Sequence, residues 1–378
     1  MNRLSHLKDL EIKNFRGLEE LKLDKNKQIN LLVGENNTGK TSILEAICML
    51  EYPLEIGHHI GVSRKRDKML SPYESFFNMF SKFNSSENKL SLTANINKLN
   101  PFDNLLIQLT IEASEESVIS TEEYDSMKKI NSDDYPIHPI FQDTEFNEEE
   151  ISILRGVCKL VKNHKKNCES KFSFSEKQQV FKTKSTNSIT ELSIEYINPI
   201  DHFTHFHSGK YIEEAIKEGN KNEIIEILKT FDSDIKGFEM LTSKSRKVIP
   251  YIDHKETGLM PISVYGDGLR KALNIAAAVL VSKNGILLID EIETAIHTKA
   301  LKEIFSWFLK ACKKYNVQVF ATTHSLEAID AIIDSCPDGN LDDINVYRLE
   351  RFKGRLHSRR IHGEKLWNIR HNLGQDVR

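Results

Sequence analysis

The chain has 378 residues, with 52 Lys and Arg against 55 Asp and Glu and a formal net charge of −3. With 39% hydrophobic and 28% charged residues, it is no fibre, fully disordered chain or membrane bundle. Its length suits two domains, or one with a sizeable insertion.

The longest strongly apolar stretch, Ala272 to Val281, spans only about half a bilayer and contains Asn274. The opening MNRLSHLKDLEIKNF carries no continuous apolar signal segment. A cytoplasmic protein without a membrane segment is expected. The five sparse cysteines (Cys48, Cys158, Cys168, Cys312, Cys336) include no CxxC pair and fit a reducing compartment.

Leu10 and Ile12, then Leu21 and Leu23, alternate with polar residues as half-buried strands do, and Gly17 marks a turn between them. Ile29 to Val33 reads as a buried central strand. A glycine-bearing loop follows, and then Ile43, Leu44, Ile47 and Leu50 recur at helical spacing. Leu90 to Leu92 and Leu105 to Ile111 read as strands. Residues 112–150 are rich in Glu, Asp and Ser and read as a solvated excursion, followed by the cations Lys162, Lys165, Lys166 and Lys171. A helix is predicted from Tyr211 to about Phe231, with a break at Gly219-Asn220. Short strands and turns surround Ile249 to Tyr251 and precede Pro261. The last third alternates regularly: helix Leu269–Val281, strand Ile286–Ile289, helix Lys299–Lys314, strand Val317–Ala321, helix Leu326–Ile333, strand Ile344–Leu349. This alternation predicts an α/β sheet covered by helices.

Gly34-Glu35-Asn36-Asn37-Thr38-Gly39-Lys40-Thr41 fits GxxxxGK[ST], and Ser42 follows. Backbone N–H groups of such a loop wrap phosphates, and Gly34 and Gly39 allow close approach. Lys40 brings a cation to the outer phosphates, and the Thr41 hydroxyl can enter the shell of Mg²⁺. A magnesium nucleotide is the expected ligand of this loop. After Ile286–Ile289 come Asp290, suited to hold the metal's water shell, and Glu291, suited to polarise attacking water. Thr322-Thr323-His324-Ser325 ends the next strand, where the His324 imidazole can donate a hydrogen bond and orient water. As an alternative, His324 belongs only to a helix start capped by Ser325 or Thr323.

These residues resemble the compact ABC-type ATPase heads of the RecF, SMC and OLD-like group. LEIKNFRG with INLLVGENNTGKTS is similar to the first lobe of that group, ILLIDEIETAIH to its Walker B strand and D-loop (Glu293 to His297), and ATTHS to its His-switch strand. The resemblance implies a P-loop NTPase of α/β class with an ABC/SMC-like head, a mixed sheet flanked by helices and an inserted, mainly helical lobe. The expected divisions are 1–110 for the first part of the head, 111–255 for the insertion, 256–350 for the second part and 351–378 for a basic tail. The resemblance also implies Mg-dependent, slow ATP hydrolysis in a homodimer that sandwiches two nucleotides and can assemble further. The signature facing the partner's nucleotide falls on Gly266-Asp267-Gly268, where Gly266 replaces the usual serine. Arg270 or Lys271 would add charge in trans, with Ser263 a substitute hydroxyl. For the Q-loop residue of the group, Asn78 is the best polar candidate between Tyr73 and Phe83.

The implied biology is a molecular switch controlling a protein effector, such as a nuclease or toxin, in bacterial anti-phage defence. Two alternatives stand beside it: a RecF-like ATPase clamping DNA, and a nucleotide-dependent scaffold without catalytic turnover. Residues 351–378 carry eight Lys and Arg against two acids, a net +6, and offer a surface for a phosphate backbone. Elsewhere, Asp201, His205 and His207 read better as loop or interface residues than as metal ligands. Cys158, His164 and Cys168 have poor zinc spacing, and Asp232 and Asp234 read as turn residues.

Overall fold

The computed structural model describes residues 5–65, 67, 69–82, 88–98, 104–119, 150–177, 192–201, 205–242, 248–336, 339 and 341–378. Two six-stranded sheets form its frame. The first, in the order β15-β14-β3-β13-β12-β8, is built on strands that need no polar face. β3 (Ile29–Gly34), β12 (Ile286–Ile289) and β13 (Gln318–Thr322) are buried along their whole length. These three, with β8 (Ile194–Ile197) and β14 (Ile344–Phe352), run parallel, and only β15 (Arg355–His362) is antiparallel. A parallel sheet covered on both faces calls for such continuous apolar runs.

Alternate side chains of β3 divide the core. Leu32 points to one face, with Ile43 and Ile47 of helix Lys40–Met49. Leu31 and Val33 point to the other, with Leu273 and Ile275 of helix Asp267–Val281, Phe305 of helix Thr298–Lys314 and Ile329 of helix Leu326–Asp334.

The second sheet is antiparallel, in the order β2-β1-β4-β5-β6-β7. β1 (Ser5–Phe15) and β2 (Leu18–Leu23) turn at Arg16-Gly17, and Ile12 pairs with Leu21 on one side and Leu92 of β4 (Asn88–Lys98) on the other. Between β3 and β4 lie helices Ile56–Ser63 and Pro72–Phe77, the latter started by a capping box between Ser71 and Glu74. Gln318 of β13 fastens the sheets together. Its Oε1 accepts from the Leu7 N–H at 2.7 Å, and its Nε2 donates to the carbonyls of Leu7 at 2.9 Å and Lys27 at 3.0 Å.

The inserted region departs from expectation. Where it is described, 111–255 is mostly strand rather than mostly helix. β5 (Leu105–Ile119), β6 (Glu150–Lys162) and β7 (Lys166–Ser175) extend the antiparallel sheet, β8 joins the parallel one, and β9 (Ile235–Thr242), β10 (Val248–His254) and β11 (Gly258–Pro261) form a small third sheet. Of the stretch read as a solvated excursion, residues 112–119 lie instead in β5, where Glu112 meets Lys89 and Lys159 across strands. Residues 120–149 of the acidic stretch lie outside the described residues.

Among the described residues of this region the helices are His205–Lys217 and Lys221–Phe231, divided at Gly219 (φ 80°) and Asn220 as the sequence suggests. The expected boundary at 350/351 falls inside the β14–β15 hairpin, where Leu349 pairs with Ser358. Residues beyond it are folded onto the head: helix Gly363–Trp367 follows β15, and Arg370 grips Asp330 through two bonds of 2.7 Å.

Candidate active site

The carboxyl ends of β3, β12, β13 and β8 converge at one edge of the parallel sheet, where α/β folds place ligand sites. The loop leaving β3 needs its glycines. Gly34 has φ 148°, and a Cβ there would stand 2.6 Å from the Leu349 carbonyl oxygen. Gly39 has φ 85° at the helix N-cap, and its Cβ would stand 2.8 Å from Leu18 Cδ2. Lys40 is buried, and its Nζ donates to the carbonyls of Gly34 at 2.9 Å and Glu35 at 2.7 Å. Burial pulls its pKa below the usual range, against the opposing fields of Asp290, Glu291 and Glu293. Thr38 closes the loop by donating from Oγ1 to the Glu35 carbonyl at 2.8 Å, while Ser42 is buried.

The Thr41 hydroxyl donates to Asp290 Oδ1 at 3.1 Å, joining residues 249 positions apart in sequence. Thr322, at the end of β13, donates to the same oxygen at 2.6 Å and accepts the Glu291 N–H at 2.7 Å. Glu291 itself sits at φ 50°, a left-handed conformation unusual for its side chain. Besides that bond, Thr294 Oγ1 donates to its Oε2 at 2.9 Å. A strained backbone over-determined in this way is typical of working sites.

His324 lies within the field of this group. Burial, then Lys40, push its pKa down, opposed by Glu293, Glu291 and Asp290, so the neutral imidazole is favoured. Its backbone N–H donates to Glu293 Oε1 at 2.8 Å. Ser325 caps the following helix by accepting from the Ala328 N–H at 3.0 Å. The capping role and the site position therefore hold together.

The donor set suits a magnesium nucleotide. Two oxygens sharing an octahedral Mg²⁺ at about 2.0–2.1 Å stand about 3 Å apart, close to the 3.1 Å between Thr41 Oγ1 and Asp290 Oδ1. Beside this hydroxyl–carboxylate pair stand a buried ammonium and a glycine-lined loop of phosphate-binding pattern.

The profile of the AAA ATPase domain matches residues 6–329. The chain belongs to the AAA ATPase domain family. It is 25% identical over 342 residues to an ATP/GTP phosphatase of Helicobacter pylori, covering 86% of this chain and 87% of that protein. It is also 25% identical over 364 residues to the DNA replication and repair protein RecF of Francisella tularensis, covering 87% of this chain and 98% of that protein. Among solved structures, its fold is similar to an SMC head bound to the C-winged helix domain of ScpA (TM-score 0.55, 14% identity, 96% of this chain and 100% of that chain). The chain is thus an ATP-binding, ATP-hydrolysing P-loop protein of the RecF/SMC-head fold.

This ATPase places the remaining candidates as follows. Gly266 is the N-cap of helix Asp267–Val281, and a Cβ on Gly268 would stand 3.3 Å from the Ala295 carbonyl oxygen. Arg270 is held within its own chain, by Asp267 at 3.3 Å and the Ile262 and Ser263 carbonyls at 3.3 and 2.6 Å. Lys271 is wholly buried, which rules it out as a cation offered to another subunit.

Asn78 caps the end of helix Pro72–Phe77, two residues before the isolated bridge between Phe80 and Phe15. Asn198 directly follows β8, the strand beside β12. There the Ile197 carbonyl accepts the Asp290 N–H at 2.9 Å, and Asn198 N–H binds Asp201 at 2.8 Å. Sequence reasoning missed it because β8 has four residues, too short a run to declare itself between long strands. The turn at 198–201, closed by the Asp201 N–H on the Asn198 carbonyl at 3.2 Å, was its only local mark.

His202 lies outside the described residues, as do Phe203 and Thr204. His205 and His207 open a helix rather than share a strand face. Among the described residues Cys158, His164 and Cys168 form no metal-ligand cluster. Asp232 and Asp234 do make a turn, closed by the Asp234 N–H on Asp232 Oδ1 at 3.0 Å, and His254 Nε2 lies 3.2 Å from Asp232 Oδ2. All five cysteines are free, and no described helix is long and apolar enough to cross a membrane.

Proposed function

We propose that the chain is a nucleotide-gated dimeric switch whose Mg-dependent ATP hydrolysis is carried out by Lys40, Thr41, Asp290, Glu291 and His324. The observation that carries this reading is the Thr41–Asp290 contact, which brings the phosphate-loop helix and the end of β12 to one point. In the proposed mechanism the loop N–H groups and Lys40 hold the phosphates. Thr41 and Asp290 would hold Mg²⁺, which neutralises charge developing on the transferred phosphoryl group. Glu291, aimed by Thr294, accepts a proton from attacking water, and neutral His324 donates a hydrogen bond to the terminal phosphate. Gly266, Asp267 and Gly268 at a helix N-terminus would face the nucleotide of a second copy.

The proposed partner is a separate effector protein, such as a nuclease or toxin, in anti-phage defence. The SMC head bound to ScpA supports protein docking on this fold. The RecF likeness favours a second reading, DNA clamping, with the basic residues of β15 as contacts.

Glu291→Gln tests the switch. It should lower kcat by at least about 100-fold while ATP still binds, and should trap an ATP-dependent dimer in sedimentation. Unchanged turnover, or a monomer at saturating ATP, would overturn the reading.

A further inference from the structure

Helix Asp267–Val281 carries a lysine that none of these roles uses. Lys271 has no exposed surface, and its Nζ has no hydrogen-bond partner among the described residues. One turn further on the same face, Asn274 is equally buried and both its amide atoms are unpartnered. Glu293 repeats the pattern: one oxygen binds the His324 N–H, while the other is buried and unpartnered. The flanking Leu269, Ala272, Leu273 and Ile275 are ordinary core residues, so methionine would fill the position of Lys271 at no polar cost.

A buried ammonium without hydrogen bonds is destabilising. Burial accordingly pulls its pKa down to about 8, against Asp201, Glu293, Asp290 and Glu291, strongest first. These carboxylates all follow the carboxyl ends of the paired strands β8 and β12. Lys40 belongs to a helix on one face of the parallel sheet and Lys271 to a helix on the other. Two cations thus flank one acidic cluster. Without the second, the carboxylates repel one another and part.

We infer that Lys271 is a positioning residue of the ATPase site: an internal counter-charge that keeps Glu293 and Asp201 in place behind Asp290 and Glu291. It also ties helix Asp267–Val281, whose N-terminus carries Gly266 to Gly268, to the water-activating carboxylate. The inference rests on the assignment of Asp290 and Glu291 made above.

The test compares Lys271→Met, Glu293→Gln and the double variant in the full chain, with Glu291→Gln as reference. Lys271→Met should melt at a higher temperature than the parent, since a desolvated charge has gone. Its kcat should nevertheless fall by about 10- to 100-fold, with ATP affinity within about threefold. The double variant should lose no more than the worse single one, because the two groups act as a unit. Parental kcat in Lys271→Met overturns the inference. So does a lower melting temperature with unaltered turnover per folded molecule, which would make the lysine purely structural. If Glu291→Gln keeps full activity while Lys271→Met loses it, the site assignment fails, and the inference falls with it.

Discussion

The two six-stranded sheets have the same strand count and opposite uses. In the parallel sheet every central strand is buried on both faces, so its polar chemistry is driven to the strand ends, where Thr41, Asp290, Glu291 and Thr322 meet. In the antiparallel sheet polar side chains are spread along the strands, as in the Glu112 pairs with Lys89 and Lys159, and the ends do not converge. Connectivity makes the difference. Parallel strands put their carboxyl ends on one edge, and antiparallel strands alternate. One sheet concentrates function, and the other braces it through Gln318.

The sharpest way to break that division is Thr322→Val, which keeps the shape of β13 and removes one hydroxyl. It leaves Asp290 Oδ1 one donor short and the Glu291 N–H without its acceptor. We expect kcat to fall by about 10- to 100-fold, with a stability loss of about 1–3 kcal/mol in denaturant unfolding. Activity near the parent would show that strand-end chemistry does not depend on this residue.

Gln318→Ala probes the brace. It strips the buried Leu7 N–H and carbonyl of their partner, and should cost about 2–4 kcal/mol by denaturant midpoint while kcat per folded molecule holds. A kcat loss without destabilisation would mean that the braces and the site are not separate.

The smallest effect is expected at His59, wholly buried in helix Ile56–Ser63, with Nε2 on the Pro53 carbonyl at 3.1 Å. Burial, then the neighbouring His58, lowers its pKa from 6.5 to about 3. The fold keeps it neutral, whereas the unfolded chain takes up a proton below pH 6.5. Stability is therefore full above that value and falls as pH drops toward 3, by at most about 1.4 kcal/mol per pH unit. His59→Gln should flatten the melting temperature between pH 7 and 5, and an unchanged slope would refute the assignment.

The legible parts of this molecule are those where chemistry is local in sequence. The phosphate loop, the acidic pair after Leu287-Leu288-Ile289 and the Thr-Thr-His-Ser strand end each carry their roles within eight residues, and the structure brings all three together. What escaped depends on pairing across long separations. β8 has two side chains per face and gains meaning only against β12. Lys271 looks like a surface charge until helix Asp267–Val281 is packed. Residues 112–119 escaped because glutamate and serine on the wet face of a long strand have the composition of a solvated loop, although Ala113 of β5 is a core residue.

The position of β8 has a practical result for anyone wishing to dissect the protein. The middle third is not a removable attachment, because it supplies the strand whose Ile197 carbonyl holds the backbone of Asp290. A shortened version that skips from 110 to 256 would uncover one flank of the Walker B strand. Grafting studies should cut on either side of residues 192–201 and leave that short segment where it is.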